Sequence, residues 1–310
     1  MPTAVRTIRL KTVKKILLLL FIALIFIILI GGSIFAIWRI YKHKPLPPPP
    51  SKGISEEEKK AERAEKQKAL VENIKDLFAI ESPGTAFSLG IYDLNNKEYF
   101  GYEDTSGQHA ASVSKVLTAV VLLDKVDKGE IKLSDPMGAY NIGFQLEKMI
   151  NISNQPSWDH IDAKLGIDQQ TVFAKERLGL SGVDMRNNLM AVKDVTLLLA
   201  KLASGEILSE TSRGRLFSYM QNTESEDFFS PAFKEAKVPF YHKTGKYLGE
   251  GHDVAIVKHK KNPFVLVIFS NNSTNPNLIT RGEVMTKTAA LVLEFFDKMQ
   301  TAPSVKSQVS

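Results

Sequence analysis

Cysteine is absent from all 310 residues. No disulfide, thiolate metal site or lipid-modified cysteine anchor can be built from this chain. Histidine is sparse, at six residues (His43, His109, His160, His242, His252 and His259). No pair of them has the spacing of a metalloprotease helix, and no Gly-x-Ser-x-Gly occurs, so metal-dependent and elbow-type hydrolases lose their signatures. Acid is missing altogether from the first 50 residues, which hold eight Lys and Arg. Without those eight, 32 bases face 34 acids, a net charge of −2 for residues 51–310. The sequence pI of 9.2 thus describes the N-terminus, and the argument for a nucleic-acid partner lapses.

Residues 16–38, ILLLLFIALIFIILIGGSIFAIW, carry no charge. As a helix they would span roughly 34 Å, enough to cross a hydrocarbon core of about 30 Å. The apolar run is too long, and Ile34-Phe35-Ala36 too poor an exit, for a cleaved signal peptide. Five bases before the run and three after it place the N-terminus in the cytoplasm and the remainder outside. The expected organisation is a basic cytoplasmic tail (1–15), a single-pass span (16–38), a Pro-rich and charged linker (39–68), one domain (69–300) and a disordered tail (301–310). Within the linker, KPLPPPPSKG should be extended, and Ser55 with Glu58 makes a capping box for the helix that follows. That helix is charged on all sides until Leu70, Ile74, Leu77 and Phe78 supply a docking stripe.

Strands are expected at 85–93 and 98–102, a hairpin around Asn95-Asn96, and at 239–244, 253–258 and 264–270. Helical patterns occupy 144–150, 168–178, 192–202 and 209–220, with a last amphipathic helix over 281–299. Helix, two strands, helices, three strands and helix, in that order, imply an α+β fold: an antiparallel sheet flanked by helices with an all-helical subdomain inserted.

Chemistry concentrates at HAASVSKVLTAVVLLDKVDKG. Ser112 precedes Lys115 by one helical turn at the head of an apolar helix that Gly129 ends. Residues three apart share a helix face, and a lysine losing hydration there tends toward the neutral amine. A hydroxyl beside a neutral amine is an activated nucleophile. Ser-x-x-Lys alone is weak, since chance produces one in roughly 300 residues. Far downstream, on an expected strand, stands Lys243-Thr244-Gly245.

Ser-x-x-Lys on a helix and Lys-Thr-Gly on a strand after a helical insertion resemble the class A β-lactamase and penicillin-binding-protein superfamily of serine hydrolases. YDLNNKEYFGYED resembles that family's first hairpin, and GHDVAIVKH the strand after Lys-Thr-Gly. The intermediate Ser-x-Asn motif is matched by Ser153-Asn154-Gln155, with Gln in place of Asn. A strict Ser270-Asn271-Asn272 falls after Lys-Thr-Gly, on the wrong side of a cleft. The resemblance implies Ser112 as nucleophile, Lys115 as base and Ser153 as proton relay. It implies Lys243, Thr244, Gly245 and Gln155 as substrate contacts, and the backbone N–H groups of Ser112 and Lys246 as oxyanion donors. It further implies β-lactam or peptidoglycan-peptide substrates, neither cofactor nor metal, and a bacterial plasma-membrane location. One departure matters: no Glu occurs between Leu178 and Lys201, where the lactamases carry their deacylating glutamate, and the segment is short. Glu176 and Asp184 are the nearest acids. The alternative expectation is a catalytically impaired binding or cell-envelope scaffold protein. His252 and His259 read as surface residues, and Trp158-Asp159-His160 as helix-end packing, with a place lining a cleft as the other option.

Overall fold

The computed structural model describes residues 3–42, 55–275 and 277–299. The Pro-rich spacer and the C-terminal tail lie outside the described residues. The described residues fall into two compact units, divided between Lys60 and Ala61. In the first, helix α1 (Thr3–Lys42) contains one stretch, Lys15–Arg39, long and apolar enough to cross a membrane, with a mean hydropathy of 3.1 and no burial.

Helix α2 (Glu56–Glu81) starts at the capping box: Glu58 N donates to Ser55 Oγ at 3.1 Å and Ser55 N to Glu58 Oε2 at 2.7 Å. Its stripe of Leu70, Val71, Ile74 and Phe78 is buried, and Phe78 stacks on Phe87 with ring centroids 4.0 Å apart. Strands β1 (Ala86–Asp93) and β2 (Glu98–Tyr102) form the expected hairpin. Asp93 turns it, its Oδ1 accepting from the amides of Asn95 and Asn96 at 2.9 and 3.0 Å. Strand β3 (Gly107–His109), a 3₁₀ turn (Ala111–Ser114) and α3 (Lys115–Asp127) follow.

The inserted subdomain comprises a small ribbon, β4 (Pro136–Met137) with β5 (Tyr140–Asn141), then α4 (Ile142–Asn151), α5 (Gln155–Leu165) and α6 (Ile167–Val172). One π turn, Phe173–Arg177, ends the helix expected over 168–178. Strand β6 (Leu189–Ala191) pairs with β3 and leads into α7 (Val192–Ser204), α8 (Glu210–Tyr219) and α9 (Ser230–Glu235). Strands β7 (Phe240–Tyr247), β8 (Glu250–Val257) and β9 (Phe264–Asn271) complete the main sheet before α10 (Leu278–Lys298).

The main sheet is antiparallel throughout, in the order β2-β1-β9-β8-β7. Strand β9 explains why it is central. Phe264, Leu266 and Ile268 join the core under α2 and α10, while Val265, Val267 and Phe269 join the core under α7 and the helical insertion. Both faces of one strand are buried, so its sequence is a continuous apolar run with no alternation. This is the α+β arrangement the order of elements implies.

Two histidines depart from expectation. His252 is buried within β8, its Nε2 donating to His109 O at 3.0 Å and its Nδ1 accepting from Ser270 N at 3.2 Å. Burial pushes its pKa down to about 4, so the ring is neutral and works as a fixed bridge. His259 is also buried, its Nε2 2.9 Å from Asp297. Short-range pattern could not show either bridge, because each partner lies on another element.

Candidate active site

Strand β7 lies directly against the turn that carries Ser112. A Cβ on Gly245 would stand 3.0 Å from Ala110 O, 3.1 Å from Ala111 Cβ and 3.2 Å from Ser112 N. Glycine is therefore what lets the strand approach the nucleophile's backbone. Ala111 has φ +47°, a left-handed kink immediately before Ser112. Asn188, at φ +51°, holds that kink from the other side: its backbone O accepts from Ala110 N at 2.8 Å and its Nδ2 donates to Ala111 O at 3.0 Å.

Lys115 Nζ is 2.8 Å from Ser112 Oγ and 3.2 Å from Gln155 Oε1. Its ammonium end also lies 4.2 Å from the centre of the Trp158 ring. The side chain is 1 % exposed. Burial pulls its pKa down to about 8, against the pull of Asp159 and Asp162. Lys243, 2 % exposed, hydrogen-bonds Ser153 Oγ and donates to Thr244 O at 2.9 Å. Burial first, and then the neighbouring Lys115, lower it to about 7. Two buried lysines thus share one site with no carboxylate salt-bridged to either among the described residues, an arrangement that favours one neutral amine near pH 7.

The Ser153-Asn154-Gln155 turn joins α4 to α5 and is set by local chemistry. Ser153 adopts φ +55°, which turns its hydroxyl to Lys243. Asn154 caps α5, accepting from Ser157 N at 2.9 Å, and Pro156 occupies the first turn. Gln155 Nε2 donates to Asp159 at 2.8 Å while its Oε1 faces Lys115. The residue itself is exposed, but its amide is already hydrogen-bonded at both ends. Thr244 is buried on β7, and Lys246 follows Gly245 there, its Nζ on Asp227 at 2.7 Å.

Ser112, Lys115, Ser153, Gln155 and the Lys243-Thr244-Gly245 strand accordingly converge on one site. Ser270 does not: its hydroxyl donates to Gly251 O on the neighbouring strand. Ser114 is buried and bonded to Ala111 O at 3.0 Å.

The family model of the Beta-lactamase enzyme family matches residues 69–141 and 150–296. The chain belongs to that family. Among solved structures, an ancestral class A β-lactamase superposes with a TM-score of 0.68 at 18 % identity, covering 73 % of this chain and 100 % of that one. A structure titled PBP-A gives 0.66 at 22 %, covering 74 % and 97 %, and a β-lactamase from Xanthomonas campestris gives 0.65 at 17 %, covering 73 % and 98 %. At these identities the likeness establishes the β-lactamase fold. No curated protein sequence matches the chain.

Residues outside the three motifs also belong to this β-lactamase-like site. Trp158 lies over Lys115, the cleft-lining alternative to helix-end packing, and its Nε1 donates to Thr118 Oγ1 at 3.0 Å. His109 pairs with Glu250 at 2.5 Å and stands 3.2 Å from Asn188 Nδ2. Asn188 Oδ1 is buried with no partner among the described residues. The nearest acids of the shortened segment lie elsewhere. Asp184 accepts from the amide of Arg186 and the side chain of Asn187, and Glu176 lies on the π turn beside Lys125 and Arg177. Both acids are absent from the hydrogen-bonded group around Ser112.

Proposed function

We propose that the chain is a membrane-anchored, extracytoplasmic serine acyl hydrolase or transferase that forms an acyl-enzyme at Ser112 with β-lactams or D-Ala-D-Ala peptides. The observation that carries this reading is the 2.8 Å approach of a buried, pKa-lowered Lys115 to Ser112 Oγ. With the amine neutral, the hydroxyl donates its proton to Nζ as Oγ attacks the carbonyl carbon. Negative charge then develops on the carbonyl oxygen, to be met by the N–H groups of Ser112 and Lys246. Ser153, bonded to Lys243, relays the proton taken up by Lys115 to the leaving nitrogen as the C–N bond breaks, so both side chains return to their starting protonation. Lys243 and Thr244 take the substrate carboxylate, a charge-assisted contact. The apolar stretch of α1 is read as the anchor, and the basic residues before it as cytoplasmic.

Deacylation distinguishes a lactamase from a penicillin-binding protein. It needs a base beside a water near the ester, and neither Glu176 nor Asp184 is grouped with Ser112. A positioned base is worth about 10²–10⁴-fold, so its absence should slow release by about that factor and leave it well behind acylation. A chromogenic cephalosporin mixed with the full chain should give a burst of one equivalent and then slow turnover. Steady-state turnover at the burst rate would make the protein a working lactamase, and no burst would favour the binding-scaffold reading.

A further inference from the structure

At the other end of β7 from Gly245 there is a cavity of about 720 Å³. Four residues along a strand separate Tyr241, in its wall, from Gly245, a distance of about 13 Å. The cavity is lined by Arg213, Lys258, Lys260 and Lys261 and by no acid. Carboxylates beside the lining residues already have partners: Asp93 accepts from Asn95 and Asn96, Glu206 is bonded to Ser204 and Lys201, and Asp297 to His259. Among the described residues no carboxylate pairs with any of the four cations. The aromatic wall is a stack of Phe217 on Tyr241, centroids 4.5 Å apart, with Lys258 Nζ 5.8 Å from the Tyr241 ring.

The lysines stand on a loop that is held in place. Buried Asn262 donates to Phe296 O at 2.7 Å and its N–H donates to His259 Nδ1 at 3.0 Å. Asn95 Nδ2 donates to Lys261 O at 2.7 Å. Like charges fixed side by side repel, and in a region of net charge −2 this cluster is a local reversal of sign. Its place is equally specific. Arg63 and Gln67, early in α2, bond Glu98 at 2.8 and 3.0 Å, at the end of the hairpin whose tip residue Asn95 braces the lysine loop. The cavity therefore shares a pole with the point where the chain enters the folded unit.

We propose that this cavity binds a phosphate ester, with Arg213 and the three lysines on its oxygens and the Phe217–Tyr241 stack against its carbon skeleton. Arginine's fork and several ammonium groups around one anion suit phosphate, which presents more oxygens than a carboxylate. Two sources offer that chemistry: the headgroup of an anionic lipid, and a soluble glycerol phosphate. The proposal does not depend on Ser112 chemistry.

The test uses the full chain in a neutral detergent, titrated calorimetrically with short-chain phosphatidylglycerol, short-chain phosphatidylcholine and glycerol 3-phosphate. Phosphatidylglycerol, glycerol 3-phosphate or both should bind, and phosphatidylcholine should not. Binding of the lipid alone identifies the headgroup as the source, and comparable binding of glycerol 3-phosphate identifies the free ester. The variant Lys258→Gln/Lys260→Gln/Lys261→Gln should weaken binding by about fivefold per lysine, on the order of 100-fold in all. The control Lys59→Gln/Lys66→Gln/Lys75→Gln removes lysines already paired with glutamates and should change affinity less than twofold. Far-ultraviolet circular dichroism and the thermal midpoint, measured in parallel, should be unchanged in both variants and report that they are folded. Equal losses in the two variants, equal binding of phosphatidylcholine, or no binding by either phosphate probe would overturn the proposal.

Discussion

The protonation of Lys115 should set the pH dependence of Ser112 labelling, and the effect can be isolated with a probe that has no carboxylate. A fluorophosphonate needs the nucleophile and its base but not a charged Lys243. With Lys115 at about 8, the neutral fraction is about 1 in 100 at pH 6, about 1 in 11 at pH 7 and about 10 in 11 at pH 9. The second-order labelling rate should rise roughly tenfold from pH 6 to 7, about tenfold again by pH 9, and then level. Asp159 pulls the other way, holding the proton on Lys115 while it accepts from Gln155. Asp159→Asn keeps an acceptor for Gln155 and removes the charge. Asp159 is exposed, so the charge is screened and its loss should lower the midpoint by on the order of half a unit. At pH 6 that amounts to about threefold faster labelling. Penicillin carries a carboxylate and also needs protonated Lys243, at about 7. Its rate should therefore gain less than the fluorophosphonate's above neutrality. The assay is stopped-flow or gel-based labelling of the full chain between pH 6 and 9. A flat profile, or a midpoint that rises in Asp159→Asn, would refute the assignment of Lys115 as base.

Gly245→Ala should cut acylation by more than tenfold, because its Cβ would stand 3.0 Å from Ala110 O, and overpacking of this kind costs about 1–3 kcal/mol of stability, readable by chemical denaturation. Phe78→Ala should destabilise the folded unit by about 3–5 kcal/mol, since its ring is buried and stacked on Phe87, while leaving the labelling rate of the folded fraction unchanged. His242, wholly buried between Asp253 and Glu226, is raised to about 9 by Asp253 foremost, against the cost of burial. Its contribution to stability is complete below about pH 6.5 and is lost as pH rises through about 9, so the thermal midpoint should fall across that window, and His242→Asn should flatten the slope.

How much of this was legible in the chain depends on how far each interaction reaches. The approach of Lys115 to Ser112 follows from a three-residue spacing on one helical turn, and the strands of the main sheet follow from their own apolar patterns. The cap of α5 is also legible, in Asn154 and Pro156, but the same residues match a motif, and the expected helices do not include 155–165. Asn188 and Glu250 were beyond reach. Asn188 acts across 77 residues on Ala111, and Glu250 across 141 on His109, with nothing in the intervening sequence to connect them. The burial of His252 was hidden for the same reason: one partner is a backbone carbonyl 143 residues away.

The central claim is that Ser112 becomes covalently acylated. Incubating the full chain with benzylpenicillin, quenching, and taking the intact mass followed by peptide mapping tests it directly. The account predicts a mass increase of one penicilloyl group, located on Ser112, absent in Ser112→Ala and retained in Ser114→Ala. An unmodified mass at saturating penicillin, or an adduct that survives Ser112→Ala, would contradict it.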